Sequence, residues 1–155
     1  MLMDSSFLLI AHSYLRWLVL ISLLLSISRA WRGRSFNSAF SKRDDALRHW
    51  TATIAHIQLV IGMLVYLQSP LVKHFMKNFE ASRENLDLLF YGLIHGLLMI
   101  IAIVVLSMGS AFAKRKATDR EKFQTMLIWY SLALIIILIA IPWPFSPLAN
   151  RPLFR

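Results

Sequence analysis

The sequence predicts an all-α protein, a bundle of four transmembrane helices running up-down-up-down with both termini outside. Three observations carry this. Of the 155 residues, 57% are hydrophobic and 16% charged, a balance that one small soluble core cannot hide, because its surface would need far more polar side chains. Four apolar runs, Ser6–Ser28, Trp50–Leu67, Leu86–Ala113 and Met126–Pro142, are each long enough to cross a hydrocarbon layer of about 30 Å at about 1.5 Å per residue. The basic residues also fall unevenly. Arg29, Arg32, Arg34, Lys42, Arg43 and Arg48 lie between the first two runs, and Lys114, Arg115, Lys116, Arg120 and Lys122 between the last two. The middle connector balances Lys73, Lys77 and Arg83 with Glu80, Glu84 and Asp87, so the first and third connectors are expected to be cytoplasmic.

The first run lacks a basic n-region and an A-x-A-like cleavage site and is too long for a signal-peptide core, so it is expected to be a retained span. The connector after it, SRAWRGRSFNSAFSKRDDALRHW, reads as a cytoplasmic loop with Trp31, Phe36 and Phe40 as interfacial anchors. The second run leads into SPLVKHFMKNFEASREN, which has the pattern of a short amphipathic turn on the outer surface. After the third run comes a basic loop. The fourth run is stopped by Pro142 and Pro144, which cannot continue a helical ladder, with Trp143 and Phe145 as headgroup-depth aromatics. Connectors of about 10 to 20 residues favour antiparallel neighbours, which places spans one and three, and two and four, diagonally across a single domain covering residues 1–155.

Several classes of function fall away. The chain has no Cys, which excludes disulfides, iron–sulfur clusters and covalently attached c-type haem. The net charge of +9 sits in juxtamembrane loops, where anionic lipid headgroups rather than nucleic acid are the expected neighbours. There is no G-x-S-x-G, H-E-x-x-H, Walker or dinucleotide motif, no internal repeat, and no carboxylate pair of the kind proton-coupled transporters use.

What remains is histidine. Three of the five lie inside spans: His12 in the first, His56 in the second and His95 in the third. Ionisable groups inside a membrane usually face the bundle interior and mark function. Counted from the outer ends, His12 lies about 9 Å deep, His95 about 12 Å and His56 about 17 Å. Two imidazoles on facing helices can hold a haem iron from both sides. His12 and His95, diagonal and best matched in depth, are the expected axial ligands, with His56 as the alternative. Gly92 and Gly96 flank His95 and would let a helix or a porphyrin face approach closely. Arg16, one turn below His12, would neutralise a haem propionate or the oxygen of a bound quinone. A three-histidine zinc or copper site is less well matched, since all three nitrogens must come within about 2.1 Å of one ion. Met63 and Met99 read as core, Tyr14, Tyr66 and Tyr91 as packing or interfacial groups, and His49 and His74 as surface histidines.

HSYLRW in the first span, AHIQLVIGMLVY in the second, the mid-helix His95 and the closing IPWPF resemble, over nearly the whole chain, a family of small bacterial four-helix membrane proteins described as cytochrome b-like. The resemblance implies haem b and electron transfer in the bacterial cytoplasmic membrane, with His12, Arg16, His56 and His95 at the matching positions and Gln58 fitting the second-span motif. Four-helix cytochromes with two haems carry stacked histidine pairs. Here His49 has no partner at its depth, so one haem is expected.

The expected function is therefore electron transfer between quinone or quinol and an acceptor near the outer face, alongside other membrane subunits or as a homo-oligomer. A haem-dependent oxidase of a small hydrophobic substrate is the enzymatic variant. The rival is a cofactor-free structural or accessory subunit of a larger membrane complex.

Overall fold

A computed structural model describes residues 5–144, so Phe145 lies outside the described residues. Among the described residues every regular element is helical. The long helices are α1 (Ser5–Ser35), α2 (Lys42–Gln68), α6 (His95–Arg115) and α7 (Asp119–Ala140), with three short helices, α3 (Pro70–Lys77), α4 (Phe79–Ser82) and α5 (Leu86–Leu89), after α2. A π-helical turn, Phe90–Ile94, joins α5 to α6 without a break, so the third membrane-length helix runs Leu86–Arg115. α1 packs on α2 and α7, and α6 on α7 and α2, which puts α1 opposite α6 and α2 opposite α7. This is the up-down-up-down bundle the sequence predicts, and the chain is a multi-pass membrane protein.

Each long helix buries a stripe spaced alternately three and four residues apart. On α1 it is Val19, Leu23, Ser26, Ala30 and Gly33; on α2, Asp44, Arg48, Thr51 and Ala55. On α6 it is Ala102, Leu106, Gly109 and Ala113, and on α7 Phe123, Met126, Tyr130, Ala133, Ile137 and Ala140. That period is the seam of left-handed bundle packing. Ile21, Leu24, Val60, Val104, Ile135 and Ile139 point outward instead, the reverse of a soluble protein and the arrangement lipid requires.

The end of the bundle nearer the first and third connectors, here the arginine end, is held by polar contacts. α1 continues helically to Ser35, so the first connector is residues 36–41 rather than the longer loop expected. Arg and Ala are good helix formers, and the absence of a side chain at Gly33 makes room for the buried Phe123 ring, 2.5 Å from where a Cβ would stand. α1 closes with Asn37 at φ 47° and the Ser38 amide donating to the Gly33 carbonyl at 3.0 Å, a Schellman cap. Ser41 and Asp44 then form a capping box at the start of α2. Asp44 also accepts two bonds from Arg29, at 2.7 and 3.1 Å, which ties α1 to α2. Buried Arg48 donates to Asp45 and to Ser110, and its carbonyl accepts from the Tyr130 hydroxyl at 2.8 Å, connecting α2 to both α6 and α7.

Asp44→Ala removes the N3 member of the capping box and both Arg29 bonds. Loss of charge-assisted hydrogen bonds of about 1.5–3 kcal/mol each is expected to lower the melting temperature in detergent by several degrees, with Asp45→Ala, whose carboxylate is half exposed, costing less.

At the other end, the expected amphipathic turn is α3. Ser69 caps it, Pro70 occupies its first turn, and Val72 and Phe75 are its buried face.

Candidate functional site: a histidine pair at one end of the bundle

His12 and His95 meet across the bundle diagonal. Their ring centroids are 6.3 Å apart with ring planes at 80°. Each ring is seated by a neighbouring helix. On the α1 side, the His12 ring lies in the space left by Gly62 of α2, where a Cβ would stand 2.8 Å from Cε1 and 3.2 Å from Nδ1. One turn before Gly62, the Gln58 side-chain amide donates to the His12 carbonyl at 2.8 Å. The Nδ1 atom of His12 is buried and has no hydrogen-bond partner among the described residues.

On the α6 side, His95 is the first residue after the π-helical turn. Such turns insert one extra residue into the ladder and rotate the residues beyond it, and they recur at functional sites. The His95 Nδ1 atom lies 2.7 Å from the Ala140 carbonyl at the end of α7. A carbonyl only accepts, so Nδ1 carries the proton, which leaves Nε2 as the ring's lone-pair donor. Phe90 packs against the same ring at 5.7 Å between centroids.

Arg16 is half-buried on α1 below the pair. Its guanidinium lies over the Trp17 ring at 5.4 Å, and its charge acts on both imidazoles and on the Tyr91 hydroxyl. Trp17 meets Trp143 edge-on at 6.3 Å, and the Trp143 indole donates to the Leu138 carbonyl, which closes this end of the bundle with aromatic rings.

The third span histidine is elsewhere. His56 is exposed on the outside of α2, with Nδ1 against the Ala52 carbonyl at 2.7 Å and Nε2 against the Ser107 hydroxyl of α6 at 3.1 Å. Among the described residues no three His, Asp or Glu side chains gather around one point. His49, stacked edge-on against Trp50, and His74 are exposed.

The two glycines beside His95 differ in use. Gly92 receives the Phe75 ring of α3, which occupies the place a Cβ would take, and its carbonyl accepts from the Tyr66 hydroxyl at 2.7 Å, so protein fills that close approach. Gly96 would meet only Tyr66, at an ordinary 3.8 Å.

Gly62 and the Ala140 carbonyl are the contributors the histidine count does not reveal. Gly62 has a signal, since it shares a helix face with Gln58 at i, i+4. A backbone carbonyl at a helix end has none.

No family model, curated protein or solved structure matches the chain.

Proposed function

We propose that the chain binds one haem b between His12 and His95 and passes electrons between a quinone or quinol and an acceptor near the outer face of a bacterial cytoplasmic membrane. The observation that carries this reading is the spacing of the pair. Two imidazoles on opposite sides of one metal ion, at metal–nitrogen distances of about 2.0–2.1 Å, have centroids roughly 6.4 Å apart, and here they are 6.3 Å apart.

The donor set suits b-type haem iron: two imidazoles and no thiolate. The Ala140 carbonyl does for His95 what an outer-shell acceptor does for a metal-bound histidine, fixing the tautomer and the ring. Bound haem would supply reversible one-electron chemistry in a dry site. Arg16 would supply positive charge for a propionate or a quinone oxygen.

The test is a dithionite-reduced minus oxidised visible spectrum of the purified full chain, with pyridine haemochrome and metal quantification. A b-type signal at about one haem per chain is expected. A colourless, metal-free protein after expression with ample haem overturns the reading, and a cofactor-free subunit of a larger membrane complex takes its place.

Gly62→Ala is expected to retain haem but shift its band positions and midpoint potential, because the added methyl must displace the His12 ring. Gly96→Ala, with ordinary contact only, is expected to leave both unchanged.

A further inference from the structure

We propose that the cleft between α1 and α2 at the arginine end binds the phosphodiester headgroup of an anionic lipid. The cleft has a volume of about 360 Å³ and is lined by Leu25, Ser28, Arg29, Arg32, Arg43, Asp44 and Leu47. At about 30 Å³ per water molecule it is far larger than a single ion needs.

Its charge is left open by the fold. Asp44 is matched within the protein by Arg29 and by Ser41. The guanidinium groups of Arg32 and Arg43 are exposed and make no ion pair or hydrogen bond among the described residues. Two forks brought into one cleft from different helices suit a phosphate, whose oxygens accept bidentate bonds from each.

The apolar part of the wall favours a lipid over a free anion. Leu25 lies one turn deeper than Arg29 on α1, and Leu47 one turn deeper than Arg43 on α2. Leu25 is 55% exposed on the outer surface of the bundle, so an acyl chain leaving the cleft would run down an apolar surface. Trp31 and Trp50, near this end of α1 and α2, are exposed, the residue type enriched where helices meet headgroups. Basic pockets between helices just outside the hydrocarbon are where anionic headgroups bind. The site is independent of the histidine pair, about 25 Å away along α1 from His12 to Arg29.

The test is native mass spectrometry of the full chain in detergent, titrated separately with phosphatidylglycerol, phosphatidylcholine and inorganic phosphate. One phosphatidylglycerol per chain is expected to bind at least about tenfold more tightly than phosphatidylcholine, with preference lost in Arg32→Gln/Arg43→Gln and kept in Lys116→Gln/Arg120→Gln, which removes equal charge from the other loop. Because neither guanidinium makes an ion pair or hydrogen bond among the described residues, the double variant is expected to melt as the parent does. Equal loss in both double variants, or no preference for the anionic lipid, overturns the proposal. Retention of inorganic phosphate with equal avidity assigns the cleft to a free anion and also overturns it.

Discussion

His12→Ala and His95→Ala are each expected to abolish the b-type difference spectrum, while His56→Ala leaves it at full height. Removing an outer-shell partner of a metal ligand costs about 10–100-fold in affinity, and removing a ligand itself costs more, so haem content of either variant should fall below about a tenth of the parent's. His56→Ala is the informative control. The sequence offers His56 as the alternative ligand, but its ring is on the outside of α2, with both nitrogens engaged by Ala52 and Ser107. The two ligand variants should also differ from each other. His95→Ala leaves the Ala140 carbonyl at the end of α7 without its donor, a cost of about 1–3 kcal/mol that the haem-free protein should show as a lower melting temperature. His12 Nδ1 has no hydrogen-bond partner among the described residues, and no helix-end carbonyl depends on this ring as Ala140 depends on His95, so its loss should weaken the haem-free protein less. If all three variants keep the parent spectrum, the axial assignment fails.

The four spans and their diagonal arrangement were legible in the sequence because both depend on quantities a single chain displays: apolar run length, connector length and the placement of charge. The similar depth of His12 and His95 on opposite helices was legible for the same reason, but whether the two rings converge depends on how each helix is rotated. Helix rotation was not legible. His56 turns outward because Thr51 and Ala55 take the inward positions of α2, a choice made by packing against α1 and α6 rather than by residue type. The end of α1 was not legible because helix propensity and interfacial character coexist in SRAWRGRS, and only the Phe123 ring over Gly33 shows that the segment continues the seam. The π-helical turn before His95 has no sequence signature in FYGLI, and within it Gly92 receives the Phe75 ring.

The glycines of the third long helix make the same point quantitatively. GLIHG invites a close helix approach around His95, but the tightest approach in that helix is at Gly109, where an added Cβ would collide with the Trp129 Cβ and stand 2.9 Å from its Cγ and 3.6 Å from its Cα. Those atoms are the root of the Trp129 side chain, so no rotamer change clears them and the backbones of α6 and α7 must move apart. Overpacking of this kind costs about 1–3 kcal/mol, or more where the obstruction is close to backbone. The displacement reaches Ser110, whose carbonyl and hydroxyl hold the Arg48 guanidinium, and through Arg48 the Tyr130 hydroxyl on α7. Gly109→Ala is therefore expected to lower the melting temperature in detergent by at least several degrees. Gly96→Ala places the same methyl at 3.8 Å from Tyr66, where it gains helix propensity of up to about 1 kcal/mol and should leave stability unchanged or raised. Equal effects of the two substitutions would show that the α6–α7 seam at Gly109 tolerates separation and that small-residue packing there does not hold the bundle together.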